Sequence, residues 1–142
     1  MNTMSYAATA QADTRSSAGV WIGRVLSGLV VLFLLFDGAI KLVPLQVVID
    51  TVIPLGWPSE PALWRTLGIV LIASALLYAA PRTSVLGAIL ITAYLGGAIA
   101  THVRIGSPLF SHTLFGVYLG IALWIGLWLR DPRVRAFFPL AR

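Results

Sequence analysis

The sequence predicts an all-α integral membrane protein: a four-helix bundle with a short amphipathic outer-surface helix between the first and second spans. Three observations lead there. The 142 residues are 58% hydrophobic and 11% charged, with a mean hydropathy of +0.91, whereas a soluble domain carries about 25% charged residues. Too few charged side chains are present to cover a soluble globule of this size. The apolar residues also fall into continuous runs of helical length, where the strands of a membrane barrel would alternate apolar and polar positions. Finally, the length suits one domain. These features exclude a soluble enzyme and a disordered chain. They make the bilayer the expected partner and leave no nucleic-acid partner, despite a net charge of +5.

The elements follow in order. Residues 1–18 are small and polar, with only Asp13 and Arg15 charged, and read as a disordered cytoplasmic tail. The transmembrane domain covers 19–130, and its first span runs from Val20 to Val43. The apolar stretch 25–36 has the length of a signal-peptide core. Cleavage after Ala39 would put Asp37 at the −3 position, so the span reads as uncleaved. In the loop Pro44–Ser59, the residues Leu45, Val48, Ile49, Val52 and Ile53 recur at helical spacing, with Gln46 and Asp50 on the other face. This helix is too short to cross the bilayer and is expected on its outer surface. Pro54, Gly56 and Pro58 end it. The second span runs from Glu60 to Ala80, capped by Ser59, with Pro61 in the first turn. The link Pro81-Arg82 is so short that the third span, Thr83–Val103, must lie antiparallel beside the second. The fourth, Pro108–Leu129 with Ser107 as N-cap, makes a helix of roughly 33 Å, enough for a ~30 Å hydrocarbon core. Residues 131–142 read as a basic cytoplasmic tail.

The charges sort by side. Arg15, Arg24, Arg82, Arg130, Arg133, Arg135 and Arg142 share one side with Asp13 and Asp131, so the whole net charge of +5 lies there. On the other side, Lys41, Arg65 and Arg104 balance Asp37, Asp50 and Glu60. The positive-inside rule then places both termini in the cytoplasm. Trp21 and Trp128 would mark the inner interface, and Trp57 and Trp64 the outer one. Arg24, Arg82, Arg130 and Arg133 are placed to meet lipid headgroups.

Ionisable groups converge on the outer half. Asp37 and Lys41 are one helical turn apart and can pair. Arg65 opens the second span, Tyr94, His102 and Arg104 lie along the third, and His112 lies in the second turn of the fourth. Such groups at bundle depth face the interior or a wet cavity and are candidates for a polar pocket. The competing reading has Lys41, Arg65 and Arg104 reaching headgroups from helix ends. Zinc wants three or four ligands, and no cysteine or H-x-x-x-H motif supplies them. No metal or haem site is expected; the histidines could instead handle protons near neutral pH. With no cysteine, no disulfide, thiolate nucleophile, iron–sulfur ligand or quinone-reducing dithiol can form. Gly116-x-x-x-Gly120 on the fourth span is a close-approach motif, for packing within the bundle or for an oligomer.

Four pieces carry a resemblance: Arg24, the run Leu35-Phe36-Asp37-Gly38-Ala39-Ile40-Lys41-Leu42, the stretch from Tyr94 through Gly96-Gly97 to Thr101-His102-Val103-Arg104, and Arg130-Asp131-Pro132-Arg133. In order and spacing, from Trp21 to Leu140, the chain resembles the DoxX-like family of small bacterial membrane proteins. The resemblance implies a four-helix membrane bundle. It also implies an association with thiosulfate:quinone oxidoreduction or membrane-bound redox-defence assemblies, and it transfers no catalytic residue. The four-helix arrangement is similar to that of membrane thiol oxidoreductases too, whose chemistry the missing cysteines remove.

Three functions fit these features. One is a membrane subunit or anchor of a redox system beside a redox enzyme, with a quinone-sized pocket near Asp37, Lys41, Tyr94, His102 and His112. Another is a non-catalytic envelope or assembly protein whose outer cluster fixes helix register. A third, a small-solute transporter, would need oligomers and has no inverted repeat to support it.

Overall fold

A computed structural model describes residues 3–43, 46–58 and 60–137. The chain forms α1 (Thr3–Leu42), α2 (Gln46–Val52), α3 (Pro61–Ala79), α4 (Ser84–Arg104), a π turn (Leu109–Thr113), α5 (Phe115–Arg130) and α6 (Pro132–Phe137), with no strand among the described residues. Four segments are long and apolar enough to cross a membrane: Ser17–Leu42, Pro61–Ala79, Ser84–Arg104 and Leu109–Arg130. Their outward faces are apolar: Leu32 and Phe36 on α1 are each 66% exposed, and Ile69, Leu86 and Ile121 face outward on the other three spans. Such surfaces suit lipid and not water. The protein is an all-α four-helix membrane bundle.

The helices form a ring in which α1 packs on α3 and α5, and α4 packs on the same two from the opposite corner. Leu34, Leu71, Ala75, Tyr78, Ala88, Ile91, Leu123 and Leu127 fill the centre. Glycine brings backbones together at three crossings, at one of which a Cβ on Gly87 would run into the Tyr78 backbone nitrogen, so that α4 closes on α3. A Cβ on Gly23 would sit 2.8 Å from the Arg130 nitrogen, and one on Gly126 would sit 2.8 Å from Ser27 Oγ, so α1 and α5 meet backbone to backbone. A Cβ on Gly68 would sit 2.7 Å from the Gly38 oxygen, which closes α1 on α3.

Before the first span, α1 runs as helix from Thr3. The stretch 1–18 contains five alanines and neither glycine nor proline, so a helix nucleated in the span propagates backward at little cost. Three expectations need correction. The fourth span starts differently. Pro108, not Ser107, is the N-cap of a π turn, and the Pro108 carbonyl accepts N–H groups from both His112 and Thr113 at 3.2 Å. Trp64, expected at the outer interface, is buried under α2 against Val48 and Val52, with its indole N–H donated to the Pro58 carbonyl at 2.8 Å. The tail 131–142 is not simply a basic extension. The Asp131 carboxylate accepts the Arg133 N–H at 2.9 Å and so caps α6, and Val134 is buried against the core.

The short helix α2 lies where its apolar spacing predicts, but it stops at Val52, and Ile53 turns outward, 56% exposed. Glu60, not Ser59, precedes α3 as its N-cap, with Pro61 in the first turn. Leu45, Ser59 and Arg142 lie outside the described residues.

Candidate functional site

At the end of the bundle where α1 and α4 finish, Asp37 and Lys41 pair as their spacing predicts. Lys41 Nζ lies 2.6 Å from Asp37 Oδ1 and also donates to the Asp37 carbonyl at 3.2 Å. The two side chains are 30% and 16% exposed. Low exposure in a nearly uncharged surrounding makes the pair strongly interdependent. Tyr94 comes from the diagonal helix α4 to within electrostatic range of Asp37.

The other cations turn elsewhere. Arg65 Nε donates to the Leu42 carbonyl at 3.3 Å, satisfying a free carbonyl at the end of α1. Arg104 Nη2 donates to the Leu55 carbonyl at 2.6 Å and lies against Gly56, whose φ of +72° needs glycine. Neither arginine joins Asp37. Lys41, Arg65, Trp64 and Val48 line a cavity of about 10 Å³, room for one water. The quinone-sized pocket expected near Asp37 is not found at this cavity.

The two histidines meet each other. The rings of His102, at the end of α4, and His112, in the π turn, lie edge to face with centroids 5.7 Å apart. His102 Nδ1 is 3.0 Å from Ser107 Oγ, and His112 Nδ1 is 2.8 Å from Ser111 Oγ. No hydrogen bond or ion pair joins either ring to Asp37 or Lys41 among the described residues. No group of three His, Asp or Glu side chains able to hold a metal occurs among them either.

The larger concavity lies on the seam between α4 and α5. It is an open groove of about 500 Å³, lined by Leu95, Gly96, Ile99, Gly116, Gly120 and Trp124 among others. Trp124 Nε1 donates to Thr92 Oγ1 at 2.9 Å across it. Sequence reasoning did not bring Trp124 and Thr92 together. The available signal was a hydroxyl and an indole N–H in otherwise apolar helices, where each needs a partner.

At the opposite end, three helices meet on the fully buried Tyr78. Its hydroxyl donates to the Leu123 carbonyl at 2.8 Å, so Ser27 Oγ, 2.9 Å away, must be the donor to it. Arg130, expected at headgroups, turns inward. Its Nη2 donates to the Tyr78 carbonyl at 2.6 Å, and the guanidinium stacks 4.6 Å from the Tyr78 ring centroid. The free carbonyls at the C-terminus of α3 attract the cation more closely than a headgroup beyond them would. Arg133 donates to the Pro81 carbonyl at 2.6 Å and to Asp131 Oδ2 at 2.8 Å. The hydrogen bond from Arg133 holds the Asp131 carboxyl below the usual carboxylate range. Arg24 and Arg82 remain exposed at this end.

The structure thus pairs Asp37 with Lys41 and His102 with His112, and leaves Arg65 and Arg104 on loop and helix-end carbonyls. No curated protein and no solved structure matches the chain. The family model for the DoxX-like family matches residues 25–126, which contain the Asp37–Lys41 pair, both histidines and the whole groove. That match covers most of the chain, and the chain belongs to the DoxX-like family.

Proposed function

We propose that this protein is a membrane-embedded subunit or anchor of a quinone-linked redox system, and that the α4–α5 groove accepts the apolar body of a quinone-type ligand. The observation that carries this reading is the groove. Its volume of about 500 Å³ falls in the ~300–1,000 Å³ range of small-molecule sites, and its apolar walls open toward lipid. The Trp124–Thr92 hydrogen bond gives it one polar feature. Family membership supports a redox setting, and without cysteine the chain contributes binding and placement, not thiol chemistry. Photolabelling in nanodiscs with an azido-quinone tests this. Label should concentrate on the peptides containing 92–99 and 116–125 and be displaced by unlabelled decylquinone. Label spread evenly over the lipid-facing helices, without competition, would overturn it.

A second reading, an assembly or envelope protein, is favoured by the closure of the opposite cluster on itself. Asp37 is satisfied by Lys41, and Arg65 and Arg104 by backbone carbonyls. In that case quinone label would not compete, and variants that keep the fold would keep function. For either reading we propose a bacterial inner membrane with both termini cytoplasmic, because Arg24, Arg82, Arg130 and Arg133 gather at one end. Alkaline-phosphatase fusions after Arg82 should be inactive and fusions after Trp57 active; the reverse would invert the orientation.

A further inference from the structure

We propose that His102 and His112 form a two-histidine binding site for a transition-metal cation of the Zn²⁺ or Cu²⁺ class, with its remaining coordination positions open to water or a solute. The inference is independent of the groove and of the quinone reading.

The distance comes first. An imidazole nitrogen binds zinc at ~2.0–2.1 Å, and the ring centre lies about 1 Å behind that nitrogen, so two rings sharing one ion have centroids roughly 5–6 Å apart. The observed separation is 5.7 Å. The rings reach it from different elements, one ending α4 and one in the π turn, so the approach is a tertiary feature.

The hydrogen bonds fit the same role. Each Nδ1 is engaged by a serine hydroxyl, Ser107 for His102 and Ser111 for His112. A hydroxyl that accepts from Nδ1–H fixes the tautomer whose Nε2 carries the lone pair, which is the support that metal-binding imidazoles require. Each Nε2 makes no hydrogen bond among the described residues.

The backbone also contributes. A π turn is rare and is frequently found at functional sites. Here it inserts one residue, which rotates residue 112 by about 100° relative to the register of α5. The nearby cations are held elsewhere: Arg104 by the Leu55 carbonyl and Lys41 by Asp37. Two imidazoles with no carboxylate select zinc, copper or nickel over calcium or magnesium.

The test uses the full chain in detergent, carrying an affinity tag without histidine and stripped with chelator. Titration calorimetry with ZnCl₂ should give one ion per chain, while MgCl₂ gives no binding heat. His102→Ala and His112→Ala should each weaken zinc binding by about tenfold or more, and Ser107→Ala by less. Cu²⁺ bound to the unmodified protein should show hyperfine coupling to two imidazole nitrogens. That spectrum decides the matter even if a variant does not fold. No zinc heat, single-histidine variants that bind as the parent does, or coupling to fewer than two imidazoles would each overturn the proposal.

Discussion

Glycine plays opposite parts on the two sides of α5. Toward α1, Gly126 sits against Ser27 and Gly23, and no side chain separates the backbones. Toward α4, Gly116 is closed by Ile99, whose Cγ1 would lie 2.8 Å from an added Cβ, but one turn on a Cβ on Gly120 would meet only Leu95 Cδ1 at 3.9 Å, and Gly96 faces open space. The first side is a closed seam, further joined by Tyr78, Ser27 and the Leu123 carbonyl. The second is the groove. The same residue type lets two helices touch where the neighbouring helix is close, and leaves a void where it is not. A small residue therefore reports available space, and only the partner decides whether the space is filled.

The largest expected effect breaks the closed seam. Gly126→Leu would drive a branched side chain into Ser27 and the Gly23 carbonyl, which belong to backbone and a short side chain that cannot yield. Overpacking of this kind costs about 3 kcal/mol, and the detergent-solubilised protein should melt far lower or elute as aggregate. A parent-like melting curve would mean that α1 and α5 are less closely packed than drawn.

The next effect concerns the polar pair at the far end of the closed side, where α1 meets α3 beside Gly68. Lys41→Met leaves Asp37 without its counter-charge and should cost about 1–3 kcal/mol. The double change Asp37→Asn with Lys41→Met should restore most of that, because both polar partners are then relieved. Equal melting temperatures for the single and double variants would show that the pair is too well solvated to matter. If the double variant melts normally yet fails to complement a deletion strain, the pair belongs to a functional site.

Much of this was legible in the sequence, and for local reasons. Span number, the α2 helix and the Asp37–Lys41 pair depend on periodicity and i, i+4 spacing within one helix. What escaped depends on which helix faces which. Gly116 and Gly120 looked like one contact motif, but only Gly116 is packed, against Ile99 of α4, while Gly120 opens into the groove; the contact at Gly126 has no glycine four residues away to flag it. Trp64 looked like an interface marker because its burial comes from α2, a separate element. Arg130 looked like a headgroup ligand because the carbonyl that accepts its hydrogen bond, on Tyr78, lies in another helix. The meeting of His102 with His112 needed the π turn, and Pro108 signalled only that a helix was starting.

A smaller effect comes from the end of α5, where Asp131 caps α6 and holds Arg133. The carboxyl is held below its ordinary value in the folded protein, mainly by the Arg133 hydrogen bond. Its contribution is therefore complete above the ordinary carboxylate range of about pH 4 and is lost as pH falls through the lower folded value. Arg133 is mostly exposed, so the ion pair itself adds little, and the cap accounts for about 1 kcal/mol. Melting curves across this range should show Asp131→Asn keeping the cap but losing the acid-dependent step, and Asp131→Ala losing both. An unchanged acid profile in Asp131→Asn would assign the pH response to another carboxylate.

The smallest expected effect on stability falls on the open seam and is the sharpest test of the contrast. Gly120→Leu introduces the same side chain as Gly126→Leu, six residues along the same helix. Here the new Cβ meets only the tip of Leu95, and the rest of the side chain has the groove to enter. Replacing glycine by a good helix former inside a helix is worth up to about 1 kcal/mol, which offsets any crowding. The melting temperature should stay level or rise slightly. Occupying the groove should still reduce its free volume and abolish competitive quinone labelling of 116–125. If Gly120→Leu destabilises as much as Gly126→Leu, a neighbour fills the groove in the membrane, and the void is an interface between copies of the chain. If it is stable and labelling persists, the ligand lies elsewhere on the bundle.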